Sequence, residues 1–420
     1  MPSSEPLSLA AIRARVDEVV RRSPADGISV TWLEVRRDAV CEGGRPRPAA
    51  HALERTIVVR VREGARLGES RTGSGEPSDL EAAVRLAVAA SRVAPRLAGW
   101  EPPAASAADG PLPMLRDPAV AALDPESARQ TLAGLVARRE VADLDWAHGM
   151  LVTGGDLAVP RAAELTAISL RVRCGRRPGG GSAEGAARSL AALPIAEVIE
   201  RARSGHGGTG LGELPETPVP AIVAASAAAK LLEGLVGGLE APTGTWSGAA
   251  VWTAGLAGAG IELSDEPAGA GMPLPWDLLG RVRRPVAVPV AASEPLEPWS
   301  ERPVGRNLCL RGRDPRPEGE LLAAAEGGLW IGSVAGVELV PVGSGAVRFV
   351  GRGLRRIGAA GGLGEPVPDA VFELGLGELA ALRGCGATLA CRAAADRIWG
   401  GVSSPSLALA SLPAGRPLPL

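Results

Sequence analysis

The sequence is short of several residue types that often mark function. Among its 420 residues there is no tyrosine, and Lys230 and Asn307 are the only lysine and the only asparagine. With one lysine among 45 basic residues, the other 44 are arginine, a bias that codon usage in a GC-rich genome explains. The missing tyrosine and the many arginines therefore carry no functional information.

No long basic run is present, and the formal net charge is −2 at pH 7. Because nonspecific nucleic-acid binding needs many cations on one face, we expect no nucleic-acid partner. Residues 1–6 have neither the basic nor the apolar region of a signal peptide, and no stretch approaches the ~20 apolar residues of a membrane span. We therefore expect a soluble, cytoplasmic protein with no membrane partner.

Histidine is also scarce, and neither histidine nor cysteine shows a recognisable site pattern. None of the three histidines has a second His, Asp or Glu at metal-ligand spacing, and the five cysteines lack the paired spacing of a disulfide framework or zinc ribbon. We interpret the histidines as surface or loop residues and the cysteines as small buried hydrophobes. A catalytic Ser-His-Asp triad or Cys-His pair remains an alternative, because the members of such a site can be distant in sequence. No Gly-x-Ser-x-Gly motif, which often holds a nucleophilic serine, is present. The residues concerned are His51, His148, His206, Cys41, Cys174, Cys309, Cys385 and Cys391.

The length predicts two domains, because a single hydrophobic core stops growing at roughly 250–300 residues. We place an N-terminal domain at residues 1–214 and a C-terminal domain at residues 215–420. The overall class is predicted to be α+β. The first domain is expected to hold an antiparallel sheet with helices on one side, and the second a β-rich, strongly curved antiparallel sheet or open barrel with helices.

Two helices are predicted early in the first domain. Residues 7–22 have apolar side chains at helical spacing. Ser78 and Glu81 form a capping box, in which the serine hydroxyl accepts from the Glu81 N–H, and the helix that follows is expected to end near Pro95.

Cap residues predict a third helix, and alternating or continuous apolar residues predict several strands. Asp124 caps a helix that has Pro125 at its first position and runs to about Glu140. Residues 164–174 alternate as a strand. In the second domain, the apolar runs predicted as strands are residues 286–290, 308–310, 329–342, 347–350, 371–376 and 406–412.

Residues 231–240, Leu-Leu-Glu-Gly-Leu-Val-Gly-Gly-Leu-Glu, lie on a predicted helix after a strand candidate at residues 221–224. A zinc peptidase would place histidines around a glutamate at such a point, but here Leu232 precedes Glu233 and Gly237 follows it. Taken alone, this is a core or interface helix with a solvated Glu233, whose glycines allow another backbone to approach closely.

The C-terminal run at residues 396–415, which contains Trp-Gly-Gly-Val-Ser-Ser-Pro-Ser, resembles the closing segment of the TldD/PmbA family. In the N-terminal half, a strand at residues 33–36, strands near 57–61 and 67–71, and the helix from Asp79 resemble that family's first domain in order and spacing. The older family label, modulator of DNA gyrase, is not taken here as DNA binding.

The family forms two-subunit peptidases in which one subunit carries a His-Glu-x-x-x-His zinc motif and its PmbA- or TldE-type paralogue does not. When this sequence is aligned with that motif, Leu232 and Gly237 occupy the positions of the two histidines. Glu233 occupies the position of the general base. A C-terminal cysteine completes the paralogue's metal site, but Cys391 alone cannot supply three protein ligands. The resemblance implies a PmbA/TldE-type subunit with no catalytic residue, metal or cofactor of its own.

The resemblance also implies a partner and a substrate. This chain would pair with a TldD-like zinc-bearing paralogue, and the complex would cleave peptides or unfolded protein segments, often in the maturation of peptide natural products. The partner would supply zinc and the general base, while this chain shapes the chamber and holds an extended substrate by strand addition. Two alternatives stay open: a homodimeric binding or scaffold protein of the same fold without a protease role, and a self-sufficient hydrolase with a Ser or Cys nucleophile.

Overall fold

The computed structural model describes most of the chain as helices and strands of an α+β protein. The described residues are 7–43, 49–94, 96, 116–137, 140–157, 161–175, 181–204, 212–239, 255–265, 284–285, 307–340, 346–375, 377–378, 381–393 and 401–418. Within these ranges, no helix combines the length and the apolar character that a membrane span requires.

Six antiparallel strands form the first sheet. They are β1 Gly27–Glu42, β2 Ala50–Glu63, β3 Arg66–Thr72, β4 Glu140–Gly155, β5 Arg161–Cys174 and β6 Gly181–Ala187. Their order in the sheet is β3-β2-β1-β4-β5-β6. The accompanying helices are α1 Leu9–Arg22, α2 Pro77–Val93, α3 Pro118–Ala121, α4 Pro125–Leu135 and α5 Ile195–Ser204.

The helices cover one face of the first sheet, as the sequence predicts. Alternate residues of β1 are buried on this face, because side chains of a strand point to opposite sides in turn. Val30 and Trp32 pack in one apolar cluster with Ile12 of α1. Val40, further along the same strand, packs in a second cluster with Leu132 of α4. These helices do not cover the opposite face of the first sheet.

Of the three predicted helix starts, the one at Asp124 is confirmed, the one at residue 7 is two residues early because α1 begins at Leu9, and the one at Ser78 is wrong. The Ser8 hydroxyl caps α1, and the Asp124 carboxylate caps α4 as predicted. The predicted capping box at Ser78 does not form, because α2 begins one residue earlier at Pro77, with Glu76 at the cap position and no side-chain cap bond. Proline suits the first helical position, since its φ is preset and no N–H partner is needed there.

The predicted extension of α4 to Glu140 is also wrong, because the helix ends at Leu135 and Glu140 begins β4. The buried Glu140 carboxylate accepts from Arg203 Nε at 2.7 Å and Nη2 at 2.9 Å, and from the Ala137 N–H at 2.9 Å. The hydrogen bonds from Arg203 outweigh burial and lower the pKa of Glu140 to about 2. This carboxylate joins the start of β4 to the end of α5.

The second sheet is larger and carries the remaining elements. Its strands are β7 Val219–Val223, β8 Ile261–Asp265, β9 Arg284–Pro285, β10 Asn307–Gly312, β11 Leu329–Leu339, β12 Val347–Ile357, β13 Leu363–Pro366, β14 Ala370–Leu374, β15 Leu382–Ala393, β16 Gly401–Leu412 and β17 Arg416–Pro417. The helices here are α6 Ala225–Leu239 and α7 Glu318–Ala324. The order is β17-β14-β12-β11-β7-β16-β10-β8-β9, with β13 on β12 and β15 on β16, so the described strands form no closed barrel.

The predicted α+β class with two sheets is confirmed, but the second sheet is mixed and not purely antiparallel. Strand β7 runs parallel to β11, and β10 runs parallel to β16. Parallel neighbours need a crossover connection, and α6 lies on the chain between β7 and β11. The predicted run at residues 286–290 lies outside the described residues.

The proposed boundary at residue 214 stays a prediction. It falls between the end of α5 at Ser204 and the start of β7 at Val219, and no described strand belongs to both sheets.

The Glu140 carboxylate generates a testable pH dependence. Its folded pKa of about 2 lies below the ordinary 4.5, so its stabilising contribution is complete above pH 4.5 and is lost as the pH falls towards 2. We expect the Glu140→Gln variant to show a smaller decrease in unfolding free energy between pH 4.5 and 2 than the parent does, measured by denaturant unfolding.

The matched control is Glu373→Gln, which removes a carboxylate from an exposed ion pair with Arg348. This variant should keep the parent's decrease, because exposed ion pairs contribute little. A Glu140→Gln variant with the parent's full acid sensitivity would contradict the assignment.

Candidate functional site

Helix α6 carries Leu232, Glu233 and Gly237, the residues that the resemblance aligns with the zinc motif, and its leucine face is packed into the second sheet. Leu232 is 1% exposed, and its neighbours Leu231 and Leu235 are buried with it. A cavity of only about 10 Å³ lies beside them. Aliphatic side chains line it throughout: Val223, Ala228, Leu231, Leu232, Leu235, Leu310, Leu374, Leu382, Leu407 and Leu409. The first histidine position of the motif therefore lies in a closed apolar core.

The other motif positions lie on the same helix with different surroundings. Glu233 is not simply solvated as expected, because Lys230 Nζ donates to its Oε2 at 2.7 Å and both side chains are about three-quarters buried. Gly237 lies within α6. The expected close approach occurs at Gly234, where an added Cβ would lie 2.2 Å from Cγ1 of Val337 in β11.

A larger cavity of about 460 Å³ lies between the two sheets, beside the first turns of α6. We call it the inter-sheet cavity. It is bordered by β4, β5 and β6 of the first sheet and by α6, β11 and β12 of the second. The charged residues that line it are Asp143, Arg171, Arg173, Glu184, Lys230, Arg352 and Asp369.

The wall formed by the first sheet holds two carboxylates, of Asp143 and Glu184, and two guanidinium groups, of Arg171 and Arg173. Arg173 Nη2 donates to Asp143 at 2.8 Å, and Arg171 Nη2 donates to Glu184 at 3.0 Å. Burial lowers the pKa of Arg171, but Glu184, Asp143 and Asp145 outweigh it, so the net pKa is raised. Desolvation, together with the charges of Asp143 and Glu184, raises the pKa of Asp145. Each guanidinium group of this wall is thus paired with a carboxylate, and the charges of the wall balance.

The wall formed by the second sheet holds more cations than carboxylates. Lys230 and Arg352 line it together with one carboxylate, Asp369, which accepts from the Gly353 N–H at 3.2 Å. Ser226 lies one turn before Lys230 on α6, and the first turn of α6 contains no acidic residue. Because the N-terminus of a helix carries partial positive charge, this end of α6 adds to the positive potential.

Two strand edges also border the inter-sheet cavity. Among the described strands, β6 pairs only with β5, and β11 pairs only with β12 beyond Ile331. Gly336, at φ +56°, lies in a bulge of β11 between Ala335 and Glu338. Unpaired edges offer backbone donors and acceptors to an added strand.

Two of the three histidines, His51 on β2 and His148 on β4, lie on strands and not in loops. His51 Nδ1 is 2.7 Å from the buried Asp38 carboxylate, its neighbour across β1 and β2. His148 Nε2 is 3.8 Å from Glu164, and burial lowers the pKa of His148. Sequence spacing could not reveal these acidic partners, because strand pairing creates them. His206 lies outside the described residues.

The thiols of Cys174 and Cys385 are not activated. Burial, with the charge of Glu140, raises the pKa of Cys174 to about 11, and burial raises the pKa of Cys385. Cys309 is buried, and Cys41 is half-buried. Over the described ranges, no cluster of three His, Cys, Asp or Glu side chains suits a metal ion. The Cys391 side chain falls outside those ranges.

The fold is similar to that of three solved structures. A proposed modulator of DNA gyrase from Thermotoga maritima matches with TM-score 0.69 and 14% identity over 97% of this chain and 100% of its own. Another, from Bacteroides thetaiotaomicron, matches with TM-score 0.65 and 13% identity over 97% and 98%. TldE from Thermococcus kodakarensis matches with TM-score 0.62 and 13% identity over 95% and 99%.

Neither a protein-family model nor a curated protein matches the sequence. The three structural matches confirm, at the level of the fold, the resemblance that rests on the C-terminal run and on the order of elements in the N-terminal half. Coverage of 95% or more extends this shared fold over nearly the whole chain.

The burial of Leu232 predicts a large stability cost on truncation. We expect Leu232→Ala to lower the free energy of unfolding by about 2–5 kcal/mol, because it opens a cavity in a packed core. Leu86→Ala on α2 is the matched control, since Leu86 is 62% exposed, and its effect should be within about 0.5 kcal/mol. Chemical denaturation measures both, and equal effects of the two variants would contradict the placement of Leu232 in the core.

Proposed function

We propose that this chain is the non-catalytic, PmbA/TldE-like subunit of a heterodimeric zinc metallopeptidase that cleaves peptides or unfolded protein segments. The observation that carries the proposal is the packing of Leu232. Where the family motif places the first zinc histidine, this chain has an aliphatic side chain among other aliphatic side chains. A divalent ion there would be desolvated without ligands to compensate.

The proposed division of labour follows from what α6 offers. Gly237, at the second histidine position, has no side chain that could bind metal. Glu233, at the position of the general base, is held in an ion pair with Lys230. The zinc, its activated water and the general base are accordingly assigned to a TldD-like paralogue, and no cofactor is assigned to this chain. The likeness in fold to a TldE supports this pairing.

The contribution of this chain is to hold the substrate. The unpaired edges of β6 and β11 border one cavity and could each accept an extended peptide by strand addition. Backbone hydrogen bonds bind many sequences alike, which suits a substrate class of unfolded segments. We therefore assign the inter-sheet cavity and its strand edges to substrate binding.

A hydrolase with its own cysteine nucleophile is less well supported. Burial holds the thiols of Cys174 and Cys385 protonated by raising their pKa, whereas a nucleophilic cysteine needs a thiolate. A homodimeric scaffold protein of the same fold would share every structural feature described above. A binding assay with the zinc-motif paralogue must therefore distinguish this alternative from the main proposal.

Co-expression with a paralogue that carries His-Glu-x-x-x-His tests the proposal. We expect the two chains to co-purify, zinc to be present in the complex, and an unfolded peptide to be cleaved by the complex but not by this chain alone. Metal analysis and mass spectrometry of the products measure these outcomes. The activity should disappear when the glutamate of the paralogue's motif is replaced by glutamine.

Two outcomes would overturn the proposal. Stoichiometric zinc and peptide cleavage by this chain alone would make it an enzyme in its own right. A stable homodimer that does not associate with any zinc-motif paralogue would favour the scaffold alternative.

A further inference from the structure

The inter-sheet cavity lies where strand β7 leaves the second sheet. Strand β7 runs parallel to β11 from Ala221 to Val223, opposite Leu329–Ile331, and the chain then turns into α6. Among the described strands, β11 continues past this point without a neighbour on the β7 side, and Ser333–Gly336 of its edge border the cavity. The cavity volume of about 460 Å³ lies within the ~300–1,000 Å³ typical of small-ligand sites. An extended segment could therefore lie beside β11, beyond the end of β7.

The charges that line the cavity favour a ligand with one negative charge. In the first-sheet wall the carboxylates of Asp143 and Glu184 are each paired with an arginine, so they offer no site to a cation. The lining as a whole holds four basic and three acidic side chains, and the surplus cation belongs to the second-sheet wall. One carboxylate balances this surplus, whereas a polyphosphate would bring more negative charge than the cavity can neutralise.

Lys230 is a cation of the second-sheet wall with hydrogen-bond donors to spare. Its Nζ donates to Glu233 at 2.7 Å, and Glu233 lies outside the cavity lining. An ammonium group has three donors, so this ion pair leaves two of them for a ligand. Ser226, one turn earlier on the same side of α6, adds a hydroxyl donor to the lining. A carboxylate can accept several such hydrogen bonds at once.

The first-sheet wall also contains an unused donor. Arg173 Nη2 donates to Asp143 at 2.8 Å, but among the described residues Arg173 Nε is buried without a hydrogen-bond acceptor. A buried donor without an acceptor is unfavourable. A carboxylate or peptide carbonyl oxygen of a ligand would supply the acceptor, so both walls call for a ligand that brings oxygen atoms.

We propose that the inter-sheet cavity binds the C-terminal end of an extended peptide. The carboxylate is held by Lys230 and Ser226, and the preceding backbone lies along the edge of β11 at Ser333–Gly336. Strand addition supplies backbone hydrogen bonds that most sequences can make, and Lys230 distinguishes the end of a peptide from its interior. This site rests on the proposed function, because it specifies which part of the substrate this chain holds.

Calorimetric titration of the full chain with N-acetyl-trialanine, its C-terminal amide and acetate tests the proposal. N-acetyl-trialanine is expected to bind, and the amide at least about tenfold more weakly, because it lacks the charge-assisted hydrogen bonds of the carboxylate. Acetate has a carboxylate but no peptide backbone, so it too should bind at least about tenfold more weakly. Equal binding of the acid and the amide, equally tight binding of acetate, or no binding of N-acetyl-trialanine would overturn the proposal.

The only lysine of the chain localises the binding. Protein labelled with ¹³C-lysine gives one side-chain Cε signal in NMR spectra, that of Lys230. N-acetyl-trialanine should shift this signal in parallel with the calorimetric binding curve. Binding without any shift would place the peptide elsewhere and overturn the proposal.

Two variants separate the charge of Lys230 from its packing. In Lys230→Met, N-acetyl-trialanine should bind about tenfold more weakly, and amidation should have little further effect. In Lys230→Arg, which keeps the charge, the preference for the acid over the amide should remain. Arg348→Gln, on β12 but outside the cavity lining, is the control and should bind like the parent. Full preference in Lys230→Met, or its loss in Lys230→Arg, would overturn the assignment of the carboxylate to Lys230.

These measurements are separate from the test of the proposed function, because they use the isolated chain and need no partner. A chain that associates with the paralogue but binds acid and amide equally would refute the carboxylate site alone. A chain that prefers the acid but binds no paralogue would refute the proposed complex alone.

Discussion

The packing of α6 against the second sheet is the constraint on which the other features of the site depend. A helix turns about 100° per residue, so Leu232 and Leu235 lie on the side opposite Ser226 and Lys230. Burial of the leucine side in the core therefore turns the serine and the lysine towards the inter-sheet cavity. The contact of Gly234 with Val337 then brings β11 against the same helix. One hydrophobic contact surface thus positions both the helix and the cavity wall.

The first sheet contributes its opposite face to the same cavity. Strand β5 alternates between Ile168, Leu170 and Val172 under the helices and Arg171 and Arg173 on the other side. Charges on a partly buried sheet face need partners, and the neighbouring strands supply them. Asp143 of β4 and Glu184 of β6 fill this role through cross-strand ion pairs, so strand register, set by the apolar face, also sets the charge pattern of the cavity.

Local signals in the sequence were sufficient for much of the fold. Helix α1, the Asp124 cap and strand β5 follow from periodicity and cap chemistry. Strand β4 was not predicted: the expected helix reached only its first residue, Glu140, and residues 141–155 were assigned to no element. Strand β6, Gly-Ser-Ala-Glu-Gly-Ala-Ala, has little intrinsic strand preference and is held by its partner β5. Only part of the candidate site could be predicted from the sequence. The helix that carries Leu232 and Glu233 could be identified, but the inter-sheet cavity could not, because it depends on how the two sheets face each other.

The opposition of the two faces of α6 separates Leu232 from the inter-sheet cavity. If the cavity were the remnant of a zinc site, the position of the first histidine would face it, yet Leu232 points into the apolar core on the other side. The charges of the cavity also form an amphoteric set from both sheets, whereas a catalytic zinc site needs three converging ligands. Two different physical requirements, a dry core for fold stability and charged walls around a cavity, are met by opposite sides of one helix.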